Sequence, residues 1–293
     1  MKLSIVTSIA WYDNDLDKML QTLKDNGYEA LDYIGEYLGR LSEEEEIKYC
    51  NHLNSKLKEY GIEIYQTHAP FLINNPESEF LGEKYRDSVI EAIKRTARLN
   101  CKYIVIHPYC PQGLDEFINA RPYNYNKFIE HNKEVNLACF KQFVPYLKEY
   151  GITMCIENLF AYDVLMQRHV ESSCSTPEEI NYYIDNLGED CFGACYDSGH
   201  LNHFAGDETN FITKLGNRLK VVHFNDSWGK DFKGMDWHLM PGQGDVDWFK
   251  VKAALEKINY QGTANFEVGP RKGVFFYPQL KYIAEIGKAI FQD

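Results

Sequence analysis

Six successive apolar segments of the sequence each carry a histidine or an acidic residue at or next to their C-terminal end. Imidazole nitrogens and carboxylate oxygens are typical donors to Zn²⁺, Mn²⁺ and Fe²⁺, and carboxylates also carry protons in acid–base catalysis. Any one of these residues alone is more often a structural histidine or a turn-capping aspartate. Six of them in the same position on successive segments indicate a divalent metal site. They are His68, His107, Glu157, Asp197, His223 and Glu267.

Two short motifs extend this set. "DSGH" places His200 three residues after Asp197, and "MDWH" places His238 two residues after Asp236. Side chains two residues apart in an extended loop point to the same side, so Asp236, His238 and His200 can form a further metal position. The sequence therefore predicts one to three ions of zinc, manganese or iron. The remaining histidines lack this placement and are predicted to lie outside the site: His52 on a helix surface, His203 in a loop, and His131 and His169.

The strands and helices that position these residues can be predicted from two patterns in the sequence. Short β-branched segments predict eight strands at 3–8, 30–34, 62–67, 103–107, 152–157, 192–197, 220–224 and 263–268. Longer segments between them are apolar at helical spacing. Ser42 and Glu45 have capping-box spacing, and Thr176, Pro177 and Gly188 mark the start and the stop of another helix.

Eight strand–helix units predict a single (β/α)₈ TIM barrel, an α/β fold that forms one domain over residues 1–293. An open doubly wound sheet is the alternative, but it usually has fewer strands, and no GxGxxG motif follows the first strand. Barrel enzymes keep their active sites at the C-terminal ends of the strands, where the six residues converge. Long loops at 108–126 and 225–246 belong to the same face.

Several other residues belong to this predicted face. Trp11 and Phe71 follow the first and third strands and are predicted to contact substrate together with His68, His107 and His200. Gly242 and Gly244 predict a tight turn before a helix that Asp247 caps, although a GxG pair is also compatible with a phosphate loop.

Composition limits the functional class. A net charge of −12 disfavours nucleic acid as a partner, because phosphate binding needs lysine and arginine. None of the eight cysteines forms a CxxC pair, which indicates reduced thiols in a cytoplasmic protein. No segment approaches the roughly 18 apolar residues of a membrane span. The sequence is compatible with a homo-oligomer but does not decide the oligomeric state.

The motifs "THAPF", "VIHPY", "CIENL", "YDSGHLNHFAGD", "VVHFNDS", "MDWHLMPGQGDVDW" and "NFEV" together resemble the xylose-isomerase-like barrel superfamily. Its sugar phosphate isomerase/epimerase branch implies a single metal held by Glu157, Asp197, His223 and Glu267. In that branch the two glutamates also form the acid–base pair that moves a proton next to a sugar carbonyl. The arginine that epimerases carry shortly after the histidine of strand seven is absent from "HFNDSWGK".

The second branch, endonuclease IV, cuts DNA at abasic sites and implies a three-zinc site. This sequence supplies a residue for every ligand of that site: His68, His107, Glu157, Asp197, His200, His223, Asp236, His238 and Glu267. The loops, however, show no concentrated basic track. The leading hypothesis is therefore a metal-dependent sugar or sugar-phosphate isomerase/epimerase. An abasic-site endonuclease, a related lyase and a sugar-sensing barrel are the alternatives.

Overall fold

The computed structural model describes residues 1–72, 76–110, 125–163, 168–229, 236–269 and 274–292. Within these ranges the chain forms ten β-strands. In chain order they are β1 Leu3–Thr7, β2 Ala30–Tyr33, β3 Glu63–His68, β4 Tyr103–Ile106, β5 Thr153–Glu157, β6 Phe160–Asp163, β7 Arg168–Glu171, β8 Phe192–Asp197, β9 Leu219–His223 and β10 Ala264–Phe266.

Eight of these strands form one parallel sheet, in the order β10-β1-β2-β3-β4-β5-β8-β9. The two end strands meet just beyond β9, where the Phe224 amide donates to the Asn265 carbonyl (2.7 Å) and the Glu267 amide donates to the Phe224 carbonyl (3.0 Å). The sheet is thereby closed into a barrel with helices between its strands. The eight predicted strands and the predicted (β/α)₈ TIM barrel are confirmed.

The α-helices surround this barrel. They are α1 Leu16–Asn26, α2 Glu43–Tyr60, α3 Glu77–Phe80, α4 Glu83–Arg98, α5 Tyr125–Lys141, α6 Val144–Tyr150, α7 Pro177–Leu187, α8 Ser198–His203, α9 Glu208–Leu215, α10 Trp248–Lys257 and α11 Phe276–Phe291. Ser42 and Glu45 form the predicted capping box, and Thr176 and Asp247 cap the helices predicted for them. No helix in the described ranges is long and apolar enough to cross a membrane.

Alternation along the strands explains why polar side chains meet at the barrel mouth. Val105, Cys155, Cys195 and Val221 form a small buried cluster that is separate from the main core between strands and helices. Each of them precedes a mouth residue by two positions, and side chains two positions apart on a strand share a face. His107, Glu157, Asp197 and His223 therefore lie one layer above the buried cluster, around the same axis.

Two elements were not predicted. The antiparallel hairpin of β6 and β7 follows β5 outside the barrel sheet, and its residues 164–167 lie outside the described part of the chain. Helix α8 contains His203, so the prediction of a loop there was wrong. Asp197 supplies the helical start, because its side chain accepts a hydrogen bond from the His200 amide. Of the two long predicted loops, residues 111–124 and 230–235 lie outside the described ranges.

Asp226 organises the described part of the loop that follows β9. Its buried carboxylate accepts hydrogen bonds from the amides of Ser227 (3.0 Å), Gly242 (2.8 Å) and Val246 (3.0 Å) and from the indole of Trp248 (3.2 Å). The Gly242 amide is therefore used within the protein, which agrees with a tight turn at this glycine.

Replacing Asp226 with alanine is expected to lower the free energy of unfolding by about 3–5 kcal/mol, because several buried donors lose their acceptor. Denaturant titration of both proteins measures this difference. Asp247→Ala removes a helix cap and an exposed ion pair with Lys250 and should cost about 1 kcal/mol. Equal losses in the two variants would contradict the role given to Asp226.

Candidate metal centre

Glu157 lies at the centre of the site. Its carboxylate is buried at the end of β5, with Oε2 3.4 Å from His68 Nε2 and 3.1 Å from His107 Nε2. The other oxygen, Oε1, lies 3.1 Å from His223 Nδ1 and 3.4 Å from His200 Nδ1. Burial opposes its negative charge, but His223 and His107 lower the pKa of Glu157 well below its ordinary value. One carboxylate thus faces four imidazoles.

Four residues, at the C-terminal ends of β5, β8 and β9 and directly after β10, form the first compact ligand group. Donor atoms of Glu157, Asp197, His223 and Glu267 all lie within 4.8 Å of one another. His223 Nδ1 lies 3.1 Å from Glu267 Oε2. Burial opposes the charge of Glu267, yet His223 and His238 lower its pKa to about 2, so this carboxylate is ionised.

Asp197 is held by residues just after the two neighbouring strands, β5 and β9, and by the first turn of α8. Its Oδ2 accepts a hydrogen bond from Asn225 Nδ2 (2.7 Å), and its Oδ1 accepts one from the His200 amide (2.7 Å). Asn158 pairs with the Asp197 backbone, donating to its carbonyl (2.9 Å) and accepting from its amide (2.7 Å). This fully hydrogen-bonded environment fixes where the carboxylate points.

The "MDWH" and "DSGH" motifs meet in a second group. Asp236 Oδ2 lies 2.8 Å from His238 Nε2 and 3.2 Å from His200 Nε2. Donor atoms of Asp197, His200 and His238 lie within 4.8 Å of one another. The His238 Nδ1 atom is 2.8 Å from the Glu267 carbonyl, which ties the loop to the end of β10.

A third group combines His68, Glu157 and His223, again with donor atoms within 4.8 Å. Above it, the half-exposed Phe71 ring stacks on His107, with ring centroids 4.9 Å apart and an interplanar angle of 29°. Trp11 instead packs against the main core. Phe71 therefore lies beside the site and lines the cavity described below, whereas Trp11 does not line it, and substrate contact by either residue stays a prediction.

The donor set fits a divalent transition metal. Imidazole nitrogens and carboxylate oxygens in small groups suit zinc, manganese and iron. Glu157 and Asp197 are fully buried carboxylates, and several such groups in one low-dielectric site need positive charge nearby. The residues that could hold the ions are the nine named above, from His68 to Glu267.

A cavity of about 360 Å³ opens beside this centre. Its lining includes His68, Phe71 and Glu267, together with Arg95 and Thr96 of α4. The volume lies within the range of about 300–1,000 Å³ that small-molecule sites occupy. The candidate ligands and the cavity are thus continuous.

Sequence reasoning missed Asp32, the carboxylate behind His223. Its Oδ2 lies 3.4 Å from His223 Nε2 and accepts hydrogen bonds from Gln66 Nε2 (3.0 Å) and Asn265 Nδ2 (3.3 Å). A carboxylate at this nitrogen favours a proton there and leaves Nδ1 available toward Glu157 and Glu267. A lone acidic residue inside the apolar segment "ALDYI" was the available signal.

Replacing Asp32 with asparagine is expected to weaken Zn²⁺ binding about 10- to 100-fold, because a neutral amide supports the His223 ring less strongly. Competition with a chromophoric chelator measures the affinity. Asp207→Asn, which changes the cap of α9, is the matched control and should bind zinc normally. Unchanged affinity in Asp32→Asn would show that His223 does not depend on this carboxylate.

His169 and His203, predicted to lie outside the site, are buried beside the second group. His203 Nε2 lies 3.5 Å from Asp236 Oδ1, and the His169 and His203 ring centroids are 4.4 Å apart. Burial lowers the pKa of His169 to about 4, so its ring is neutral near pH 7. Neither residue ends a barrel strand, which is why the strand-end pattern could not identify them.

The chain belongs to the xylose isomerase-like TIM barrel family, whose model matches residues 14–287. An uncharacterised protein of Methanocaldococcus jannaschii, MJ1311, is 26% identical over 89% of this chain and 82% of its own length. A probable endonuclease 4 of Geobacillus sp. (strain WCH70) is 29% identical over 65% of this chain and 60% of its own length.

Solved structures share the fold. A D-tagatose 3-epimerase-like protein superposes with a TM-score of 0.71 at 22% identity, covering 100% of this chain and 98% of its own. The IolI protein, crystallised with a zinc atom, superposes with a TM-score of 0.69 at 17% identity, covering 99% of this chain and 98% of its own.

Proposed function

We propose that the protein is a metal-dependent isomerase or epimerase that moves a proton next to the carbonyl of a sugar or sugar phosphate. The observation that carries the proposal is the group of Glu157, Asp197, His223 and Glu267, of which Glu267 also lines a cavity of about 360 Å³. These four residues would hold a divalent cation, whose positive charge would acidify the C–H next to a bound carbonyl.

The two glutamates would divide the proton transfer. Glu267 lines the cavity, its side chain is 22% exposed, and it is ionised, which is the state that a general base requires. The Glu157 side chain is 1% exposed and lies within the ring of imidazoles. Glu267 is therefore the residue that first meets the substrate, and Glu157 is the opposite member of the acid–base pair.

Solvent deuterium exchange tests this proposal. The zinc- or manganese-loaded protein is incubated in D₂O with a panel of ketoses and their phosphates, and deuterium next to the carbonyl is followed by NMR. We expect incorporation into at least one substrate and its loss in Glu267→Gln. Equal exchange in Glu267→Gln and the unmodified protein would refute the proton-transfer role.

A specific observation favours a second candidate, an abasic-site endonuclease. Asp236 and His238 converge on His200, which adds a ligand group that a single-metal isomerase does not need. Several metal ions suit phosphodiester hydrolysis, because they stabilise both the attacking and the leaving oxygen.

Asp236→Ala separates the two candidates. For the isomerase we expect bound metal to fall by about one ion per chain while proton exchange stays within about tenfold, because the strand-end group is intact. Elemental analysis and the exchange assay measure both quantities. Cleavage of an oligonucleotide with one abasic site, abolished by Asp236→Ala, would establish the endonuclease instead.

A further inference from the structure

His203 is a buried histidine outside the nine candidate ligands, and its ring nitrogens are unused. The residue is 0% exposed, and neither ring nitrogen has a hydrogen-bond partner among the described residues. Burying a polar group without a partner is unfavourable, so such a group in a native protein calls for an explanation, such as a bound ion or water. The neighbours of this ring indicate which of these it binds.

The carboxylate of Asp236 brings His203 together with two of the candidate ligands. His203 Nε2 lies 3.5 Å from Asp236 Oδ1, while Oδ2 lies 3.2 Å from His200 Nε2 and 2.8 Å from His238 Nε2. Two donors that are each about 2.0–2.1 Å from a tetrahedral zinc ion lie about 3.3 Å apart. Three imidazole nitrogens therefore surround one carboxylate at separations close to those of ligands that share an ion.

Helix α8 explains why two of these imidazoles come together. His200 and His203 are three residues apart in this helix, and residues at that spacing share a helix face. Asp197 starts the helix by accepting a hydrogen bond from the His200 amide. The sequence "DSGHLNH" thus presents two imidazoles to the loop that carries Asp236 and His238.

The β6–β7 hairpin packs around the same histidines. Phe160 of β6 and His169 of β7 both contact the His203 ring, with centroids 4.3 and 4.4 Å away. Phe160 also contacts the His200 ring, with centroids 5.3 Å apart. These aromatic contacts fix the His203 ring by packing alone, so they hold it in place without using its nitrogens.

We propose that His203 is a fourth protein ligand, beside His200, Asp236 and His238, of a divalent transition-metal ion at the second group. Four protein ligands close a tetrahedral site, whereas catalytic zinc sites keep one position for water or substrate. An ion at this position therefore fastens the loop of Asp236 to α8 and takes no part in the reaction. A closed position also disfavours the endonuclease, because metal ions in hydrolysis must bind oxygens of the substrate.

His203→Phe tests the ligand role, because it keeps an aromatic ring and removes both nitrogens. We expect the Zn²⁺ affinity of the second position to fall more than about 100-fold, since loss of a residue that only supports a ligand costs about 10- to 100-fold. Competition with a chromophoric chelator measures the affinity of the ion that Asp236→Ala removes. A smaller loss in a folded His203→Phe protein would overturn the ligand role.

His169→Phe is the matched control for packing. His169 is also buried, at 4% exposure, and its ring packs on the same face of the cluster, against His203. This variant should keep the Zn²⁺ affinity of the second position within about tenfold. An equal loss in His169→Phe and His203→Phe would show that disturbed packing is the cause, and would contradict the ligand role.

Azide binding tests the closed position in a protein that retains His203. The unmodified protein and Asp236→Ala are loaded with Co²⁺, and the difference between their visible spectra reports the ion at the second position. We expect azide to leave this difference unchanged, because a closed site has no position for a further ligand. A change on addition of azide would show an open site and overturn the proposal, even if His203→Phe fails to fold.

These measurements are separable from the test of proton transfer, because metal affinity and azide binding need no substrate. A protein with a closed second position and no deuterium exchange would refute the isomerase and leave the fourth ligand in place. Normal deuterium exchange together with azide binding at the second position would have the opposite meaning.

Discussion

Glu157→Gln is expected to lower turnover by a factor of about 10³ or more and to reduce the bound metal by at least one ion per chain. Both carboxylate oxygens face imidazoles that belong to different ligand groups. An amide keeps the shape but loses the charge, and its NH₂ group cannot act as a ligand or as a base. The change should therefore affect metal binding and proton transfer together.

Elemental analysis and solvent deuterium exchange measure these two effects. Glu179→Gln is the matched control, because Glu179 is also a buried glutamate but accepts from the Cys174 amide and the Tyr183 hydroxyl, both at 2.8 Å. This control should keep its metal and its activity. Full metal content in Glu157→Gln would contradict the shared role of this carboxylate.

Removing the metal with a chelator is expected to abolish activity and to lower the melting temperature by about 10 °C. A ligand present at about 1,000 times its dissociation constant stabilises the native state by about 4 kcal/mol. In a chain of this size each kcal/mol corresponds to roughly 2–4 °C. The buried carboxylates of Glu157 and Asp197 also lose their counter-charge when the ion leaves.

Differential scanning calorimetry before chelation, after chelation and after re-addition of Zn²⁺ follows this effect. The unmodified protein should recover on re-addition, and the Glu157→Gln protein should respond much less to the chelator. Two results together would refute the metal centre: a melting temperature that the chelator does not change, and elemental analysis that finds no bound ion in the purified protein.

The arrangement at the strand ends could be predicted from the sequence because two regularities generate it: the two-residue alternation along a strand and the repeated strand–helix unit. Alternation places Glu157 two positions above Cys155, and Asp197 two positions above Cys195. Eight repeated strand–helix units then bring these ends to one face. Asp236 and His238 were predicted to share a side, and they do contact each other.

Residues that act from outside this pattern could not be predicted in the same way. Asp32 lies on β2, and its contact with His223 depends on how the closed barrel brings their side chains together across its interior. His203 of α8 approaches Asp236 of the loop that follows β9. Each of these contacts depends on tertiary geometry that no local spacing encodes.

Asp226 gives the site a modular construction with an evolutionary consequence. The candidate ligands Glu157, Asp197 and His223 are part of the barrel strands, whereas the candidates Asp236 and His238 belong to a loop anchored at this one buried carboxylate. An exchange of that loop alone could add or remove a metal position without disturbing the barrel. Related barrels could thus move between mononuclear and polynuclear chemistry through insertions and deletions after a single strand.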